Sequence, residues 1–512
     1  MPSVKELISQ ITLWDEPHLQ IPVKMPFTGE LLGQIPGALE SDVDLAVSRA
    51  RAAQAEWSRV PFHERARVFL RFHDLLLQRQ DEVLDLIQLE SGKARRHAFE
   101  EILDTAVVSR YYAFHAKRIL RPRRRRGALP FLTKTVECRA PLGVVGFFTP
   151  WNFPLVLSIT DAIAAVMAGN AGVIKPDPQA SFTALWAVAL LREAGLPRDV
   201  LAVVTGEGPV VGPLLAGRVD YVMFTGSCRV GRIVGRQAAE RLIGCSLELG
   251  GKNSMLVFAD ADLEAAVDGA VRGCFAGAGQ VCISIERILV ERSIFDRFVA
   301  RFAERTRSVK LGASPAYSVE MGSLTTEQQL RTVEAHVTDA VAKGATVAAG
   351  GRRRADLGPL FYEPTILTGA RPGMLLYEEE TFGPVVAVYP FSTEDEAVAM
   401  ANATRYGLSA SVWTRHARRG MRVARRIRAG SVNVNEAYAA AWGSVDSPIG
   451  GMKESGLRPR HGAEGILKYT DSQTIAAERV HPIAPSKWVS ADLYAKWMTR
   501  LVKLVKVTRV MG

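Results

Sequence analysis

Residues 143–148 read Gly-Val-Val-Gly-Phe-Phe and residues 171–175 read Ala-Gly-Val-Ile-Lys, two short apolar stretches rich in β-branched side chains. Two further apolar stretches follow at 200–204 and 221–224. Alanine-rich segments with helical spacing, such as 181–194, lie between them. Strands that alternate with helices in this way are typical of a doubly wound parallel sheet, which binds ligands at the carboxyl ends of its strands.

A second run of the same kind lies further along the chain. Its strand candidates are residues 254–259, 285–290, 385–389 and 431–434. Residues 41–118, before the first sheet, have apolar positions at helical spacing, and His63 to Ile87 is predicted as one continuous helical stretch. A chain of 512 residues is too long for one core, so the sequence predicts two α/β domains.

Composition narrows the class of protein. Hydrophobic residues make up 48% and charged residues 23% of the chain, as in soluble globular proteins. No apolar run has membrane-spanning length and the first residues lack a secretory pattern, so we expect a cytoplasmic protein. The five cysteines have neither metal-site spacing nor an even count, which predicts no metal and no disulfide framework. The net charge of +11 comes without a nucleic-acid-binding motif, so no nucleic acid is expected as a partner.

Two glycine-containing stretches carry groups suited to catalysis. They read Glu-Leu-Gly-Gly-Lys-Asn at 248–253 and Gly-Gln-Val-Cys at 279–282, each followed by a predicted buried strand. Glu248 and Cys282, delivered on turns beside buried strands, suit a base and a nucleophile that meet in one cleft. The spacing alone favours a surface carboxylate and a buried free cysteine, so the catalytic interpretation depends on the rest of the chain.

Candidate binding sites follow three strands of the first predicted sheet. They read Thr-Pro-Trp-Asn-Phe-Pro at 149–154, Lys-Pro-Asp-Pro at 175–178 and Phe-Thr-Gly-Ser at 224–227. Gly226 and Gly231 flank a predicted helix N-terminus, where backbone N–H groups favour a phosphate. The pair Gly206 and Gly208 resembles only part of a dinucleotide fingerprint, because the third glycine is misplaced.

Taken together, these motifs resemble those of the aldehyde dehydrogenase superfamily, in the order in which that superfamily has them and over nearly the whole chain. The six matching motifs lie at 149–154, 175–176, 224–231, 248–253, 279–282 and 380–384. Within the superfamily, Cys282–Ile288 and Tyr438–Trp442 look similar to actinobacterial enzymes labelled NAD(P)-dependent succinate-semialdehyde dehydrogenases.

The resemblance implies a fold and an assembly. The fold is α/β, with two doubly wound domains, one Rossmann-like for the cofactor and one carrying the thiol, and a small β oligomerisation arm. A homodimer or homotetramer is implied as well. The expected boundaries are residues 1–126 and 142–253 for the cofactor domain, 254–450 for the catalytic domain, 127–141 and 466–485 for the arm, and 486–512 for a C-terminal tail.

The resemblance also implies the oxidation of an aldehyde to a carboxylic acid. Cys282 attacks the aldehyde carbon, and the side-chain amide of Asn152 and the Cys282 backbone N–H stabilise the oxyanion. Hydride leaves for the nicotinamide, and Glu248 activates the water that hydrolyses the resulting thioester. A relative that passes the acyl group to coenzyme A usually lacks this glutamate, and a catalytically silent binding protein on the same fold would be expected to lack at least one of the three residues.

Further positions are implied for the cofactor, NADP or NAD. The residues expected to contact it are Trp151, Gly226 and Ser227 at the pyrophosphate, Lys175 and Glu380 at the ribose hydroxyls, Leu249 and Phe382 at the nicotinamide, and Gly208 at the adenine. Many NAD-preferring members have a glutamate where this chain has Pro178. Because the lost carboxylate would repel a 2′-phosphate, we expect NADP or dual use, although Asp177 can restore part of the repulsion.

The expected substrate is a small-molecule aldehyde with an apolar aliphatic or aromatic tail. Phe153, Tyr438 and Trp442 are predicted to line its pocket. Characterised succinate-semialdehyde dehydrogenases hold the distal carboxylate with an arginine where this chain has Thr160, and a buried carboxylate needs a cation. Succinic semialdehyde is the alternative substrate, with Arg287 or a loop lysine as the cation.

The tail combines apolar and basic residues. On a helix, Trp497, Leu501, Leu504 and Val505 form one apolar stripe, and lysines and arginines lie between them. Such a helix can make a peripheral membrane contact, or it can pack on a neighbouring subunit or over the active-site mouth. The sequence leaves these alternatives open.

Overall fold

A computed structural model describes residues 2–14, 17–127, 133–478 and 488–508. The N-terminal part consists mainly of helices, as predicted, but the stretch predicted as one helix from His63 to Ile87 is two helices, because Arg79 leaves the helical conformation (φ −111°, ψ 22°). The elements of this part are α1 (Val4–Ile8), β1 (Gln20–Lys24), β2 (Leu31–Pro36), α2 (Glu40–Trp57), α3 (Phe62–Gln78), α4 (Gln80–Ser91), α5 (Arg95–Leu120), β3 (Arg123–Arg125) and β4 (Thr133–Pro141).

The first doubly wound sheet follows. Its elements are β5 (Val144–Thr149), α6 (Val156–Met167), β6 (Ala171–Pro176), α7 (Ser181–Glu193), β7 (Leu201–Val203), α8 (Gly208–Ala216), β8 (Tyr221–Thr225), α9 (Cys228–Glu240) and β9 (Gly244–Glu248). The strands lie side by side in the order β9-β8-β5-β6-β7 and are parallel. Every residue of β5 is buried, because helices cover both faces of the sheet.

The second sheet is built in the same way. The elements of this part of the chain are β10 (Asn253–Val257), α10 (Leu263–Phe275), β11 (Ile285–Glu291), α11 (Phe295–Arg307), α12 (Glu327–Ala342), β12 (Thr346–Ala349), β13 (Thr365–Thr368), α13 (Leu375–Glu378), β14 (Val385–Phe391), α14 (Glu394–Asn402), β15 (Tyr406–Gly407), which lies outside the sheet, β16 (Ser409–Trp413), α15 (Ala417–Ala424), β17 (Ser431–Val434) and α16 (Ala439–Trp442). The strand order is β12-β13-β14-β11-β10-β16-β17, and only the edge strand β12 is antiparallel. The predicted α/β fold with two doubly wound sheets is confirmed.

Strands in the last part of the chain pair with strands from earlier parts. It contains β18 (Met452–Lys453), β19 (Gly456–Leu457), α17 (Gly462–Leu467), β20 (Thr470–Glu478) and α18 (Ala491–Thr508). β19 pairs with β9 and extends the first sheet, whereas β20, β4 and β3 form a separate three-stranded sheet. β3 therefore pairs with the arm, although the predicted boundary placed it in the cofactor domain; the other domain boundaries stay predictions. None of the helices within the described ranges is long and apolar enough to cross a membrane.

The topology brings one end of each sheet to the same place. β9 ends at Glu248 and β10 begins at Asn253, so only the residues between them pass from the first sheet to the second. The loop that carries Cys282 leads into β11, next to β10. Motifs that are far apart in the sequence therefore meet between the two sheets.

Candidate active site

The thiol lies on a sharply turned loop between α10 and β11. Gly277, Ala278 and Gly279 all have positive φ angles, of 56°, 54° and 71°. At Gly279 an added Cβ would lie 2.0 Å from the carbonyl oxygen of Gly383, so only glycine fits. The loop leaves Cys282 partly accessible, between two buried apolar neighbours.

Asn253 fastens this loop to the second sheet. Its Nδ2 donates hydrogen bonds to the carbonyl oxygens of Cys282 (2.8 Å) and Ser284 (2.7 Å), and its Oδ1 accepts one from the Ser409 amide (2.9 Å). Gly251 packs directly on the loop, since a Cβ there would lie 2.6 Å from the Cys282 carbonyl oxygen. Sequence reasoning gave Asn253 no role, and only its place at the end of the Glu-Leu-Gly-Gly-Lys-Asn motif could have suggested one.

Asn152 approaches the same loop from the first domain. Its side chain is 6% exposed, and Nδ2 donates to the carbonyl oxygen of Gln280 at 2.9 Å. An amide nitrogen carries two hydrogens, so this group has a second hydrogen left to donate.

The structure brings Glu248 and Cys282 into one cavity, which we call the base cavity. Its other lining residues are Leu157, Thr225, Ile283, Leu408, Ser431, Tyr438, Trp442, Ile449, Gly450 and Arg460. Burial raises the pKa of Glu248 to about 7, although the charges of Arg460 and Lys468 act in the opposite direction. Burial also raises the pKa of the Cys282 thiol to about 12. The resting thiol therefore keeps its proton, and Glu248 titrates in the range that a general base needs.

A second cavity meets the base cavity at Cys282, and its walls are apolar. We call it the apolar cavity; its lining residues are Glu100, Phe153, Val156, Leu157, Val281, Cys282, Ile283, Tyr438 and Trp442. The three residues predicted for the substrate pocket are among them. The Tyr438 hydroxyl donates to the carboxylate of Glu100 (3.1 Å), so the charged group on this wall is an acid.

Neither Arg287 nor the Thr160 position provides a cation for an anionic substrate. Arg287 is buried in β11, donates to the Met400 carbonyl oxygen (2.9 Å), and lines neither cavity among the described residues. Thr160 uses its hydroxyl within α6, on the Val156 carbonyl oxygen (2.8 Å). Arg287 was only one of two possible cations for the alternative substrate, and its strand position directs it into the second domain.

The residues predicted at the pyrophosphate and the adenine lie around the N-termini of two helices. Ser227 caps α9 and accepts a hydrogen bond from the Val230 amide (3.4 Å). Gly226 has no room for a side chain, because a Cβ would lie 2.6 Å from the Phe224 ring. Gly208 begins α8 with open space at its Cβ position. The positive end of the α9 dipole thus lies where β8 ends.

Lys175 and Pro178 follow β6. The ammonium group of Lys175 is buried and has one hydrogen bond within the described part of the chain, to the Pro176 carbonyl oxygen (3.0 Å). An ammonium has three donors, so this group can bind further hydroxyls. Pro178 begins a short 3₁₀ turn that the Asp177 side chain caps.

The loop before β14 places Glu380 and Phe382. Glu380 accepts a hydrogen bond from the Gly251 amide (2.8 Å), and the Phe382 ring lies edge-on to Trp151, with ring centres 5.6 Å apart. The buried Glu286, which pairs with Lys252 (2.6 Å), accepts hydrogen bonds from the amides of Thr381 and Phe382 and fixes this loop.

Leu249 follows directly after the base Glu248. A Cβ on Gly231 would lie 2.5 Å from its side chain, so Leu249 packs against α9. Together with the α9 N-terminus and the incompletely bonded Lys175, the site fits a nicotinamide dinucleotide.

Two doubly wound sheets meet here around a buried carboxylate, a thiol and a helix N-terminus, an arrangement typical of an NAD(P)-dependent oxidoreductase. The chain belongs to the aldehyde dehydrogenase family, whose sequence pattern it matches over residues 14–475. It is an oxidoreductase that acts on aldehydes with NAD(P).

Similar proteins include two mycobacterial relatives named as putative NADP(+) succinate-semialdehyde dehydrogenases. The protein from Mycolicibacterium smegmatis is 50% identical over 485 residues, which are 95% of this chain and 94% of that protein. The protein from Mycobacterium tuberculosis is 49% identical over 479 residues, 94% and 92% of the two chains.

Solved structures have the same fold. Betaine aldehyde dehydrogenase from Staphylococcus aureus, in complex with NAD+, is 31% identical with a TM-score of 0.88, covering 96% of this chain and 99% of that one. An NADP-dependent enzyme from Escherichia coli is 32% identical with a TM-score of 0.87, covering 93% and 99%.

Proposed function

We propose that this aldehyde dehydrogenase oxidises apolar aliphatic or aromatic aldehydes to carboxylic acids. The observation that carries the substrate class is the wall of the apolar cavity. Among its described lining residues there is no cation, and the one charged side chain is the carboxylate of Glu100. If the substrate had a carboxylate at its far end, that group would lie near Glu100 without a cation to pair with. Burying an unpaired charge in a desolvated cavity costs free energy.

The proposed reaction uses three residues. The Cys282 thiol releases its proton to solvent as its sulfur bonds to the aldehyde carbon, and the carbonyl oxygen becomes an oxyanion that accepts hydrogen bonds from the Asn152 amide and the Cys282 backbone N–H. Bound NAD(P) supplies the hydride acceptor that turns this adduct into a thioester. Glu248 then takes a proton from water, the water oxygen attacks the acyl carbon, and the carbon–sulfur bond breaks to release the acid.

The cofactor would be held by residues of both domains. Ser227 and Gly226 suit the pyrophosphate with Trp151 beside it, Lys175 and Glu380 suit the ribose hydroxyls, and Leu249 and Phe382 suit the nicotinamide, with Gly208 at the adenine. We propose NADP or dual use, because Pro178 provides no carboxylate against a 2′-phosphate. The NADP in the mycobacterial relatives' names supports this preference.

Succinic semialdehyde is the second candidate substrate. The names of the mycobacterial relatives, which are 50% and 49% identical to this chain, favour it. One cation, Arg460, does line the base cavity together with Glu248. Its guanidinium group already pairs with Asp161 (2.6 Å).

A substrate series measured with NAD and with NADP tests both candidates. With acetaldehyde, hexanal, dodecanal, benzaldehyde and succinic semialdehyde, we expect kcat/KM to rise with chain length, by about fourfold for each buried methylene group until the cavity is filled. We also expect NADP to be used at least as well as NAD. A kcat/KM for succinic semialdehyde above those of all the apolar aldehydes would overturn the proposed substrate class.

We further propose a homodimer or homotetramer that works in the cytoplasm. The exposed residues of β20 and the exposed edge strand β3 support pairing with a second copy, since an open sheet edge is a template for another strand. A reduced catalytic thiol suits the cytoplasm, where disulfides are rare.

For the tail we propose a peripheral contact with an anionic membrane surface. α18 has apolar residues on one half of its circumference, and Trp497 and Leu504 are 56% and 66% exposed. Lys496, Arg500 and Lys503 lie on the other half and are exposed. Such a helix lies in the membrane interface, with its basic face towards lipid phosphates. The side chain of Val505, part of the predicted stripe, lies outside the described residues.

Co-sedimentation of the full-length protein with vesicles tests the tail. At low salt we expect binding to vesicles that contain phosphatidylserine and weak binding to phosphatidylcholine alone. The double variant Arg500→Glu, Lys503→Glu should bind at least tenfold more weakly, at about 1 kcal/mol for each basic residue. The matched control Arg418→Glu, Arg425→Glu changes exposed charges on the catalytic domain and should bind normally. Equal binding of the two double variants would contradict the proposal.

A further inference from the structure

The base cavity contains a cation that comes from a distant part of the sequence. Arg460 is 3% exposed and lies in the loop before α17. Its backbone forms a two-way bridge with Ile449: the Arg460 amide donates to the Ile449 carbonyl oxygen (2.8 Å), and the Ile449 amide donates to the Arg460 carbonyl oxygen (3.0 Å). Gly450, which follows Ile449, packs against the Glu248 carboxylate, since a Cβ there would lie 3.2 Å from Glu248 Oε1. The loop is therefore held in register against Glu248.

Asp161 anchors the guanidinium group. Arg460 Nη2 donates to one Asp161 oxygen (2.6 Å), and the other oxygen accepts from Tyr469 (2.8 Å) and pairs with Lys468 (2.9 Å). Although burial acts to raise the pKa of Asp161, Arg460 and Lys468 hold it well below its usual range. One anion thus faces two cations, and the cluster has a net positive charge.

One polar atom of Arg460 and one of Glu248 form no hydrogen bond in the cluster. Among the described residues, Arg460 Nε and Glu248 Oε1 are both buried without a hydrogen-bond partner. Burial by itself favours the neutral form of a carboxylic acid, whereas a nearby cation favours the ionised form. In a cavity from which water is largely excluded, such a charge acts over several ångströms.

We propose that Arg460, anchored by Asp161, is a positioning residue that favours the ionised form of Glu248 near neutral pH, which is the form that can activate water. This inference rests on the proposed role of Glu248 as the general base. The same charge favours the thiolate of Cys282, which lines the same cavity.

Other ionisable groups face this pair from the surrounding elements. They are Cys282 from the loop before β11, Asp161 from α6, Asp104 and Tyr112 from α5, His461 beside Arg460, and Lys468 and Tyr469 after α17. Burial lowers the pKa of His461 to about 3, so it is neutral at pH 7. Burial raises the pKa of Asp104 to about 7, so this acid is the one neighbour that titrates together with Glu248.

The test is the pH profile of kcat in Arg460→Gln, which leaves Asp161 paired with Lys468 and Tyr469. We expect the acid limb to move up by about one pH unit, so that kcat at pH 6 falls about tenfold and recovers by pH 9. The variant Arg460→Lys keeps the positive charge, so its pH profile should match that of the wild type. The control Arg458→Gln removes an exposed charge from the same loop and should leave the profile in place.

A second variant keeps the test decisive if Arg460→Gln does not fold. Asp161→Asn removes the anion and leaves both cations, so the acid limb should move in the opposite direction, to lower pH. The proposal is overturned if both variants lose activity without a displaced limb, or if Arg458→Gln displaces it equally.

Glu248→Gln separates this inference from the proposed function. If that variant turns over normally, Glu248 is not the base and the proposed mechanism fails. If that variant is inactive while Arg460→Gln keeps the wild-type pH profile, only the role of Arg460 is wrong.

Discussion

Replacing Cys282 with serine is expected to lower kcat by about a thousandfold or more. A serine hydroxyl has nearly the same size but is a far weaker nucleophile, because its proton is much harder to remove. The loop should keep its shape, since Asn253 and Gly251 hold the backbone of residue 282 and not its side chain. Steady-state reduction of NAD and NADP with hexanal measures the effect.

The control for this variant is Cys138→Ser. Cys138 is a free cysteine on β4, in the three-stranded sheet and away from both cavities. Its replacement should leave kcat within a factor of about two, as expected for a substitution outside the site. A Cys282→Ser enzyme with more than a tenth of the wild-type kcat, and with an unchanged melting temperature, would contradict the nucleophile assignment.

Replacing Glu248 with glutamine is expected to lower steady-state turnover by about a hundred- to ten-thousandfold. Glutamine has the same shape but cannot take a proton from water, so the thioester on Cys282 should persist. Rapid mixing should give a burst of about one reduced cofactor for each active site, followed by a slow phase. Mass spectrometry of the quenched protein should then detect the acyl group on Cys282.

The pH dependence of the wild-type enzyme belongs to the same prediction. Burial raises the pKa of Glu248 to about 7, and the ionised form is the active base, so turnover should rise as the pH increases through 7. Glu240→Gln, an exposed acid on α9, is the matched control and should turn over normally. Loss of the burst together with the turnover would place Glu248 in activation of the thiol and not in hydrolysis.

The strands and helices followed from local patterns. The apolar stretches at 143–148 and 171–175 became β5 and β6, because β-branched residues between glycine turns suit a strand that is buried on both faces. Periodicity did not detect the break at Arg79, because apolar positions continue with the same spacing through α3 and α4.

Charges in the site were predicted less well. Arg287, one of two possible cations for the alternative anionic substrate, points into the second domain. Arg460, which lines the base cavity, was not singled out. Both are arginines in ordinary sequence surroundings. Their local sequence carries no signal for the cavity that a side chain enters, because that depends on strand pairing and loop register.

By itself the sequence determined the family, the two-sheet fold and the oxidation of aldehydes with NAD(P), because these depend on local periodicity and on motifs whose residues are close together in the chain. Only the tertiary structure decided that Arg460, Asp161 and Lys468 meet beside Glu248, that Asn253 holds the Cys282 loop, and that Glu100 lines the apolar cavity. The physical reason is that such contacts join side chains from separate elements, and their distances are set by how the sheets and helices pack.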